Sequence, residues 1–129
     1  MGHELRSDIR TGLISGTSVG GMDVSEREYA NYLNNTTHNL QAYGHHSSGT
    51  SSAQIAQELG VTDFVNTIST ACSSAANAIM MGARMIQKGW LDRVIVGGTD
   101  SLTSFTISGF RSLMIFDEEW CRPFDETRK

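Results

Sequence analysis

One cysteine, Cys72, stands where the backbone could activate a thiol. It follows a short run rich in β-forming residues, Phe64–Ile68, and directly precedes segment 73–88, whose apolar periodicity is typical of a helix. A thiol at a helix N-terminus feels the positive end of the helix dipole and unpaired backbone N–H groups, and both stabilise the thiolate over the thiol. The same N–H groups can bind the oxyanion that forms when a carbonyl is attacked. The residues alone leave two interpretations: Cys72 is a nucleophile, or it is a small buried residue in an Ala/Ser-rich helix start.

A serine in a glycine-rich segment offers a rival interpretation. Residues 16–20 match G-x-S-x-G between a predicted strand and a predicted helix, which is the setting of a hydrolase nucleophile elbow with Ser18 as the nucleophile. Such a triad needs an acid and then a histidine further along the chain. No histidine follows His46, and the acids in between lie too close to the elbow. We therefore expect residues 16–23 to form a backbone turn.

The remaining candidate residues carry weaker signals. His38, His45 and His46 have no Cys, Asp or Glu around them at the spacing of metal ligands, so we predict no metal site. A pairing of Cys72 with His45 is compatible with the spacing, but nothing in the sequence positions it. The glycines lack the frame of a phosphate- or dinucleotide-binding loop, so no cofactor is predicted. Cys121 lies in a charged segment and is given no catalytic role.

The candidate residues must be positioned by alternating strands and helices. We predict strands at Thr11–Gly16, Phe64–Ile68 and 94–96, and helices at 25–33, 51–59 and 73–88, with a polar loop over 34–47. The first helix has a capping-box pattern at Ser25 and Glu28, and the other two end before Gly60 and Gly89. The packed face of helix 73–88 is predicted from its apolar spacing to be Ala75, Ala76, Ile79, Ala83 and Ile86. Small residues at the start of this helix predict close approach by another helix or a partner subunit.

Composition limits the class of protein. A chain of 129 residues has room for one domain, and no run approaches the roughly 18 apolar residues that a membrane-spanning helix needs. A net charge of −4 argues against a nucleic-acid or anionic-membrane partner, because such partners favour a basic surface. Two cysteines make no disulfide framework, so we expect a cytoplasmic protein.

Four motifs stand in order along the chain: the glycine-rich residues 16–23, T-A-C-S-S at 70–74, G-G-T-D at 97–100 and R-P-F-D at 122–125. Taken together they resemble the β-ketoacyl synthases, the condensing enzymes of fatty-acid and polyketide assembly in the thiolase-like superfamily. The resemblance covers nearly the whole chain and implies that Cys72 is the acyl-accepting position. It also implies an α/β, partial thiolase-like fold, with βαβ units and a mixed sheet covered by helices.

The resemblance further implies a reaction and its partners. Cys72 would take an acyl group from a carrier-protein thioester, and a malonyl thioester would then lose carbon dioxide and attack the acyl-Cys72 carbonyl. The product would be a 3-ketoacyl thioester two carbons longer. The backbone N–H of Cys72 would be one oxyanion donor, and the bulk of Val19 would limit acyl length. The implied partners are acyl carrier protein and a second copy of the chain, which would pair through strand 94–98.

The family's catalytic histidines and lysine follow the R-P-F-D motif, so the chain departs from the full pattern. Residues 1–129 are therefore expected to be a fragment of the N-terminal half of a synthase, about a third of the enzyme, that cannot decarboxylate malonyl thioesters alone. An alternative remains open, namely a non-catalytic synthase-like subunit that contributes a dimer face or a chain-length pocket. Faster alkylation of Cys72 than of Cys121 would favour the enzyme.

Overall fold

Strands and helices alternate along the chain. The computed structural model describes residues 8–37 and 39–128. Within them the elements are β1 (Thr11–Gly16), α1 (Met22–Leu33), a 3₁₀ helix (Leu40–His46), α2 (Ser48–Leu59), β2 (Phe64–Ile68), α3 (Ser74–Gln87), β3 (Arg93–Gly98) and α4 (Ser104–Ser112). None of the helices in these residues has the length and apolar content needed to cross a bilayer.

The three strands form a parallel sheet in the order β2-β1-β3. Gly16, the last residue of the central strand, pairs with Ile68 on one side and Gly98 on the other. The predicted α/β class is confirmed. The three described strands are all parallel, where a mixed sheet was expected, because helices carry the chain back between them. The carboxyl ends of all three strands therefore meet at one edge.

Helices cover both faces of this sheet. Because side chains alternate along a strand, Ile14 of β1 packs with Ala78, Met85 and Leu91 on one face, and Leu13 packs with Ala56 and Val61 on the other. The first cluster lies under α3 and the second under α2. The central strand is buried along its whole length.

The packed face of α3 differs from the predicted one. Its buried residues are Ser74, Ala78, Gly82 and Met85, whereas all five residues of the predicted face are exposed, Ile79 by 55% and Ile86 by 47%. The small residues explain the difference, because a Cβ at Gly82 would come within 2.7 Å of Val96 Cγ1. Apolar residues occur on almost every side of α3, so they do not determine which side packs. The side that faces the sheet is the one whose small residues let the helix approach the strands.

Helix α1 begins without the predicted capping box. It starts at Met22 after Gly21, so Ser25 lies inside the helix, where its Oγ is hydrogen-bonded to His46 Nδ1 (2.8 Å). Glu28 instead accepts a hydrogen bond from the backbone N–H of Asn39 (2.7 Å). The predicted loop 34–47 accordingly contains the 3₁₀ helix.

The predicted ends of α2 and α3 are confirmed. Gly60 is left-handed at φ 66° and Gly89 at φ 68°.

Helix α4 was not predicted. Its N-terminus is capped by Thr103, which accepts from Thr106 N–H (3.1 Å), and by Glu26 of α1, whose carboxylate accepts from the N–H groups of Ser104 and Phe105.

Carboxylates also fix the amino ends of the strands. Asp92, just before β3, accepts from the backbone N–H and the guanidinium of Arg10 at 2.9–3.0 Å. These hydrogen bonds lower the pKa of Asp92 to about 2. Asp63, just before β2, accepts from Thr11 N–H (2.7 Å). Both residues hold the start of the central strand to its neighbours, at the edge opposite the carboxyl ends of the strands.

Candidate functional site

The carboxyl edge of the sheet brings three sequence motifs together. β1 leads into the glycine-rich loop (residues 17–21), β2 into the Cys72 turn (residues 70–74), and β3 into Thr99 and Asp100. Backbone hydrogen bonds of 3.0 Å join the three exits: Thr17 N–H donates to Ile68 O, and Thr99 N–H donates to Gly16 O. In parallel α/β sheets this edge is where ligands bind.

Cys72 is exposed and free at the start of α3. It lies two residues before Ser74, the first residue of the helix. The residue before it, Ala71, has a φ of 53°, in the left-handed region that costs a residue with a Cβ about 1–2 kcal/mol. The thiol therefore sits on a sharp turn between strand and helix, as the sequence predicted, and the alternative that it is buried is wrong.

Side-chain hydroxyls hold this turn in place. Ser74 Oγ accepts from Thr70 N–H (2.9 Å) and donates to Ala71 O (2.7 Å). Ser73 Oγ donates to Thr70 O (2.7 Å), and Asn77 donates to Thr70 Oγ1 (2.8 Å). The two serines of the T-A-C-S-S motif thus bond the backbone of Thr70 and Ala71, the two residues before Cys72.

The glycine-rich loop is anchored on Asp100. A single oxygen of that carboxylate, Oδ1, accepts from Thr17 Oγ1 (2.7 Å), Ser18 N–H (2.6 Å) and Val19 N–H (3.2 Å). Burial raises the pKa of the Asp100 carboxyl, but the hydrogen bonds from the loop outweigh it, so the pKa lies below the usual value. Thr17 is itself 3% exposed and accepts from Gly20 N–H (3.0 Å), which closes the turn.

The loop and the Cys72 turn contact each other directly. Ser18 Oγ donates to the carbonyl oxygen of Ala71 at 3.0 Å. This hydrogen bond places the loop that contains Val19 against the residue before Cys72, so both predicted site residues lie at the same edge. It also counts against the hydrolase interpretation, because the Ser18 hydroxyl is bonded to a carbonyl and to no histidine in the described residues.

His45 and His46 lie on the other side of the glycine-rich loop. Their backbone packs on Gly20, which is left-handed at φ 56° and whose added Cβ would come within 2.5 Å of His46 O. His45 lines a cavity of about 350 Å³ together with Gln54 and Asp100, and Cys72 is not among the lining residues. A Cys72–His45 pair is therefore not formed. His38 lies outside the described residues, and no group of three metal-ligating side chains occurs within them.

Cys121 is exposed in the segment after α4, remote in sequence from the three strand ends. Its neighbour Arg122 is paired with Glu119 (2.9 Å) and also contacts Thr127 Oγ1 (3.4 Å). The hydroxyl and N–H of Thr127 lower the pKa of Asp125, the last residue of the R-P-F-D motif. This motif is a local turn in the described residues and adds no group to the site.

The small residues at the start of α3 are explained by the sheet. A Cβ on Gly98 would come within 2.7 Å of Ala75 Cβ, so the strand ends lie directly against the helix start. In the described residues the close neighbour of the helix start is therefore the sheet itself and not another helix. The other alternative, approach by a partner subunit, stays a prediction.

Sequence reasoning missed the role of Asp100. The residue belongs to a quoted motif, G-G-T-D, but its function as the acceptor for the loop was not predicted. The available signal was a carboxylate directly after a predicted strand, at the edge where the glycine-rich loop also emerges.

Comparison with known proteins gives a consistent result. The family described as β-ketoacyl synthase, N-terminal domain, matches residues 2–129. The chain is 28% identical over 124 residues to nodulation protein E of Rhizobium meliloti (strain 1021), covering 94% of this chain and 31% of that protein. It is also 28% identical over 127 residues to 3-oxoacyl-[acyl-carrier-protein] synthase 2 of Staphylococcus aureus, covering 92% and 32%. The chain thus spans about a third of the length of these curated relatives.

Solved structures share the fold. A chain in the complex of a ketosynthase with its chain length factor from Xenorhabdus doucetiae matches with a TM-score of 0.76 and 34% identity, covering 90% of this chain and 30% of that one. A β-ketoacyl synthase from Burkholderia phymatum STM815 matches with a TM-score of 0.72 at 22% identity, covering 99% and 33%. These matches confirm the expected thiolase-like fold.

Proposed function

The chain belongs to the β-ketoacyl synthase family of condensing enzymes, and we propose that it supplies the acyl-accepting nucleophile, Cys72, of a 3-oxoacyl-[acyl-carrier-protein] synthase. The observation that carries this proposal is the position of Cys72. It is an exposed, free thiol on a turn between a parallel strand and a helix N-terminus, with its neighbours bonded to the backbone. A buried cysteine with only a packing role has no need of that arrangement.

In the proposed first half-reaction Cys72 is the nucleophile. The Cys72 thiolate attacks the carbonyl carbon of an acyl thioester, a new C–S bond forms, and the C–S bond to the carrier thiol breaks. The departing carrier thiolate takes up the proton that the Cys72 thiol has lost. The backbone N–H of Cys72 is one donor to the oxyanion that forms.

The second half-reaction is proposed for the whole protein that contains these residues. A malonyl thioester loses carbon dioxide, and its carbanion equivalent attacks the acyl-Cys72 carbonyl and displaces the Cys72 thiolate. The product is a 3-ketoacyl thioester two carbons longer, in fatty-acid or polyketide biosynthesis. The resemblance puts the groups that promote decarboxylation after the R-P-F-D motif, so residues 1–129 are expected to carry out acyl transfer without condensation.

Val19 is proposed to form part of the acyl pocket. It is half-buried in the glycine-rich loop, whose Ser18 touches the residue before Cys72. A branched side chain at this position would limit the length of the acyl group through its bulk. One methylene that does not fit an apolar pocket changes selectivity by roughly 10–200-fold.

The proposed partners are an acyl carrier protein and a second copy of the chain, in the cytoplasm, where the two free cysteines stay reduced. Both β2 and β3 lie at edges of the described sheet. A groove of about 610 Å³ adjoins β2, lined on its apolar side by Ile68, Met80, Met81, Met85 and Trp90. This groove favours the β2 edge for the second copy over the strand 94–98 that the resemblance implied, because an open strand edge beside exposed apolar side chains is the type of surface that a partner covers.

The test compares the two cysteines in one molecule. The chain is incubated with iodoacetamide at pH 6.5–7 and, separately, with a hexanoyl thioester of N-acetylcysteamine, and each cysteine is followed by peptide mass spectrometry. We expect Cys72 to be alkylated about tenfold or more faster than Cys121 and to be acylated selectively. Cys72→Ser should abolish acylation, and Cys121→Ser should not change it.

Equal and slow rates at the two cysteines would overturn the proposal. That result would favour the alternative, a non-catalytic synthase-like subunit. A fluorophosphonate label on Ser18 would instead revive the hydrolase interpretation.

A further inference from the structure

Asp100 is the point on which the glycine-rich loop is fixed. Three donors from consecutive residues, the Thr17 hydroxyl and the N–H groups of Ser18 and Val19, converge on one carboxylate oxygen at 2.6–3.2 Å. Hydrogen bonds to an ionised acceptor are about twice as strong as those between neutral groups. The position of the Val19 backbone is thus set by the side chain of Asp100, which follows a different strand, β3.

The same loop is bonded to the Cys72 turn. Ser18 donates its N–H to Asp100 and its hydroxyl to Ala71 O, so one residue connects the carboxylate with the neighbour of Cys72. Ala71 holds a left-handed conformation, and its carbonyl also accepts from Ser74 Oγ. A displacement of the loop would therefore change both the pocket wall at Val19 and the support of the Cys72 turn.

We propose that Asp100 is a positioning residue that determines which acyl-chain lengths reach Cys72, by fixing the glycine-rich loop against the Cys72 turn. This inference rests on the proposed function of Cys72 and Val19. Asp100 itself touches neither the acyl group nor the thiol in this scheme.

Substitutions at Asp100 separate its roles. Asp100→Ala leaves three donors without their acceptor, so the hydrogen bonds that fix the loop are lost. Asp100→Asn keeps a carbonyl oxygen of the same shape and is the conservative variant expected to restore the loop. Thr17→Val removes one of the three donors to Asp100, together with the acceptor of the Gly20 N–H, and changes the side-chain shape little. It is the second variant to measure if Asp100→Ala does not fold.

The readout is a ratio of two alkylation rates at Cys72. The whole chain is treated with iodoacetamide and with N-octyl iodoacetamide, and Cys121 is the internal reference for the intrinsic rate of each reagent. If Val19 restricts the pocket, the long reagent is disfavoured at Cys72 in the wild type. We expect Asp100→Ala to raise the ratio of the long-reagent rate to the short-reagent rate at Cys72 about tenfold. This is the low end of the selectivity change that one misfitting methylene causes in an apolar pocket. Asp100→Asn is expected to stay within about twofold of the wild type on the same scale.

Asp63→Ala is the matched control. Asp63 also accepts a backbone N–H of β1, from Thr11, but at the opposite end of the strand. The substitution Asp63→Ala removes a negative charge and a hydrogen-bond acceptor of the same strand, and it lies away from Cys72 and Val19. We expect it to lower the urea midpoint and to leave the long-to-short ratio within about twofold of the wild type.

Each outcome decides between the alternatives. An unchanged ratio in Asp100→Ala and Thr17→Val, with a loss of stability like that of Asp63→Ala, would reduce Asp100 to a structural residue and overturn the inference. The proposed function fails by a different result, namely equal rates at Cys72 and Cys121 in the wild type. The ratio at Cys72 remains measurable whatever its absolute rate, so the two failures are distinguishable.

Discussion

Gly16 lies directly beneath Ala75. A Cβ built on Gly16 would come within 2.6 Å of the backbone nitrogen of Ala75 and the carbonyl carbon of Ser74. Real Cβ atoms essentially never come this close to backbone atoms. The last residue of the central strand is thus a glycine because the start of α3, and with it Cys72, rests on the end of that strand.

Gly16→Ala should therefore destabilise the fold and displace the Cys72 turn. Either the helix start or the strand end has to shift, since the contacting atoms are backbone. Overpacking of this kind typically costs about 1–3 kcal/mol of the free energy of unfolding. Urea denaturation followed by circular dichroism measures the loss, and the iodoacetamide rate at Cys72 reports the displaced turn.

Gly97→Ala is the control for this prediction. Gly97 lies in β3 beside Gly98, and an added Cβ there meets no atom within 4 Å. Its free energy of unfolding should stay within about 0.5 kcal/mol of the wild type, or rise slightly as the unfolded chain loses freedom. Equal losses at Gly16 and Gly97 would contradict the close contact.

Removal of the Arg10–Asp92 pair should have a pH-dependent effect. Because Arg10 lowers the pKa of Asp92 to about 2 in the folded chain, the pair stabilises the fold above the unfolded pKa, near 4. The stability difference between wild type and Asp92→Asn should be constant above about pH 5 and disappear as the pH falls from about 4 to about 2. Urea midpoints measured across this range check it, and a difference that persists at pH 2 would exclude the ion pair as its source. Since both side chains are exposed, 1 M salt should also reduce the stability difference between the wild type and Asp92→Asn.

Glu26→Ala should loosen α4 without unfolding the sheet. Its carboxylate accepts from the first two N–H groups of α4 at 3.0 and 2.9 Å. Loss of such a cap costs about 0.5–2 kcal/mol, and we expect faster hydrogen exchange at Ser104 and Phe105. Glu58→Ala, in the last turn of α2, is the control and should leave exchange in α4 unchanged. Unaltered exchange at both amides in Glu26→Ala would show that Thr103 alone caps the helix.

The β2 edge can be tested as the contact between two copies with neighbouring residues of α3. Met80 lines the groove beside β2 and is 44% exposed, whereas Ile79 is exposed but is not among the residues lining that groove. Met80→Lys would bury an unpaired charge in the proposed interface and should raise the dimer dissociation constant by about tenfold or more. Ile79→Lys should leave it unchanged. Sedimentation at several concentrations measures both, and dissociation by Ile79→Lys alone would place the interface elsewhere.

The strand ends were predictable from local sequence. β1 and β2 are short apolar runs, and β1 runs directly into the glycine-rich loop, so their extents agree with the prediction. The left-handed ends of α2 and α3 were predictable for the same reason, since Gly60 and Gly89 follow the last apolar turn. Placing the glycine-rich loop, T-A-C-S-S and G-G-T-D at one edge needs only that the strands be parallel.

The wrong or missing predictions involve contacts between distant segments. Apolar residues occur on several sides of α3, so the choice of packed face depends on where Gly82 meets Val96, which periodicity does not show. Helix α4 is capped by a residue 78 positions earlier. The function of Asp100 is visible only once β1 and β3 are paired. The roles of Cys72 and Val19 in acyl transfer remain predictions.

The topology of the sheet also has a consequence for how the chain folds. Of the three described strands the central one is made first, yet Thr11 bonds to Asp63, 52 residues later, and to Arg93, 82 residues later. At ribosomal rates of roughly 5–20 residues per second, β1 waits several seconds for its second neighbour. The entropy of closing such long loops is lost before the strands can pair. Because the contacts join residues far apart in sequence, we expect folding to be slow. An apolar segment that waits unpaired for so long is a natural target for chaperones during synthesis.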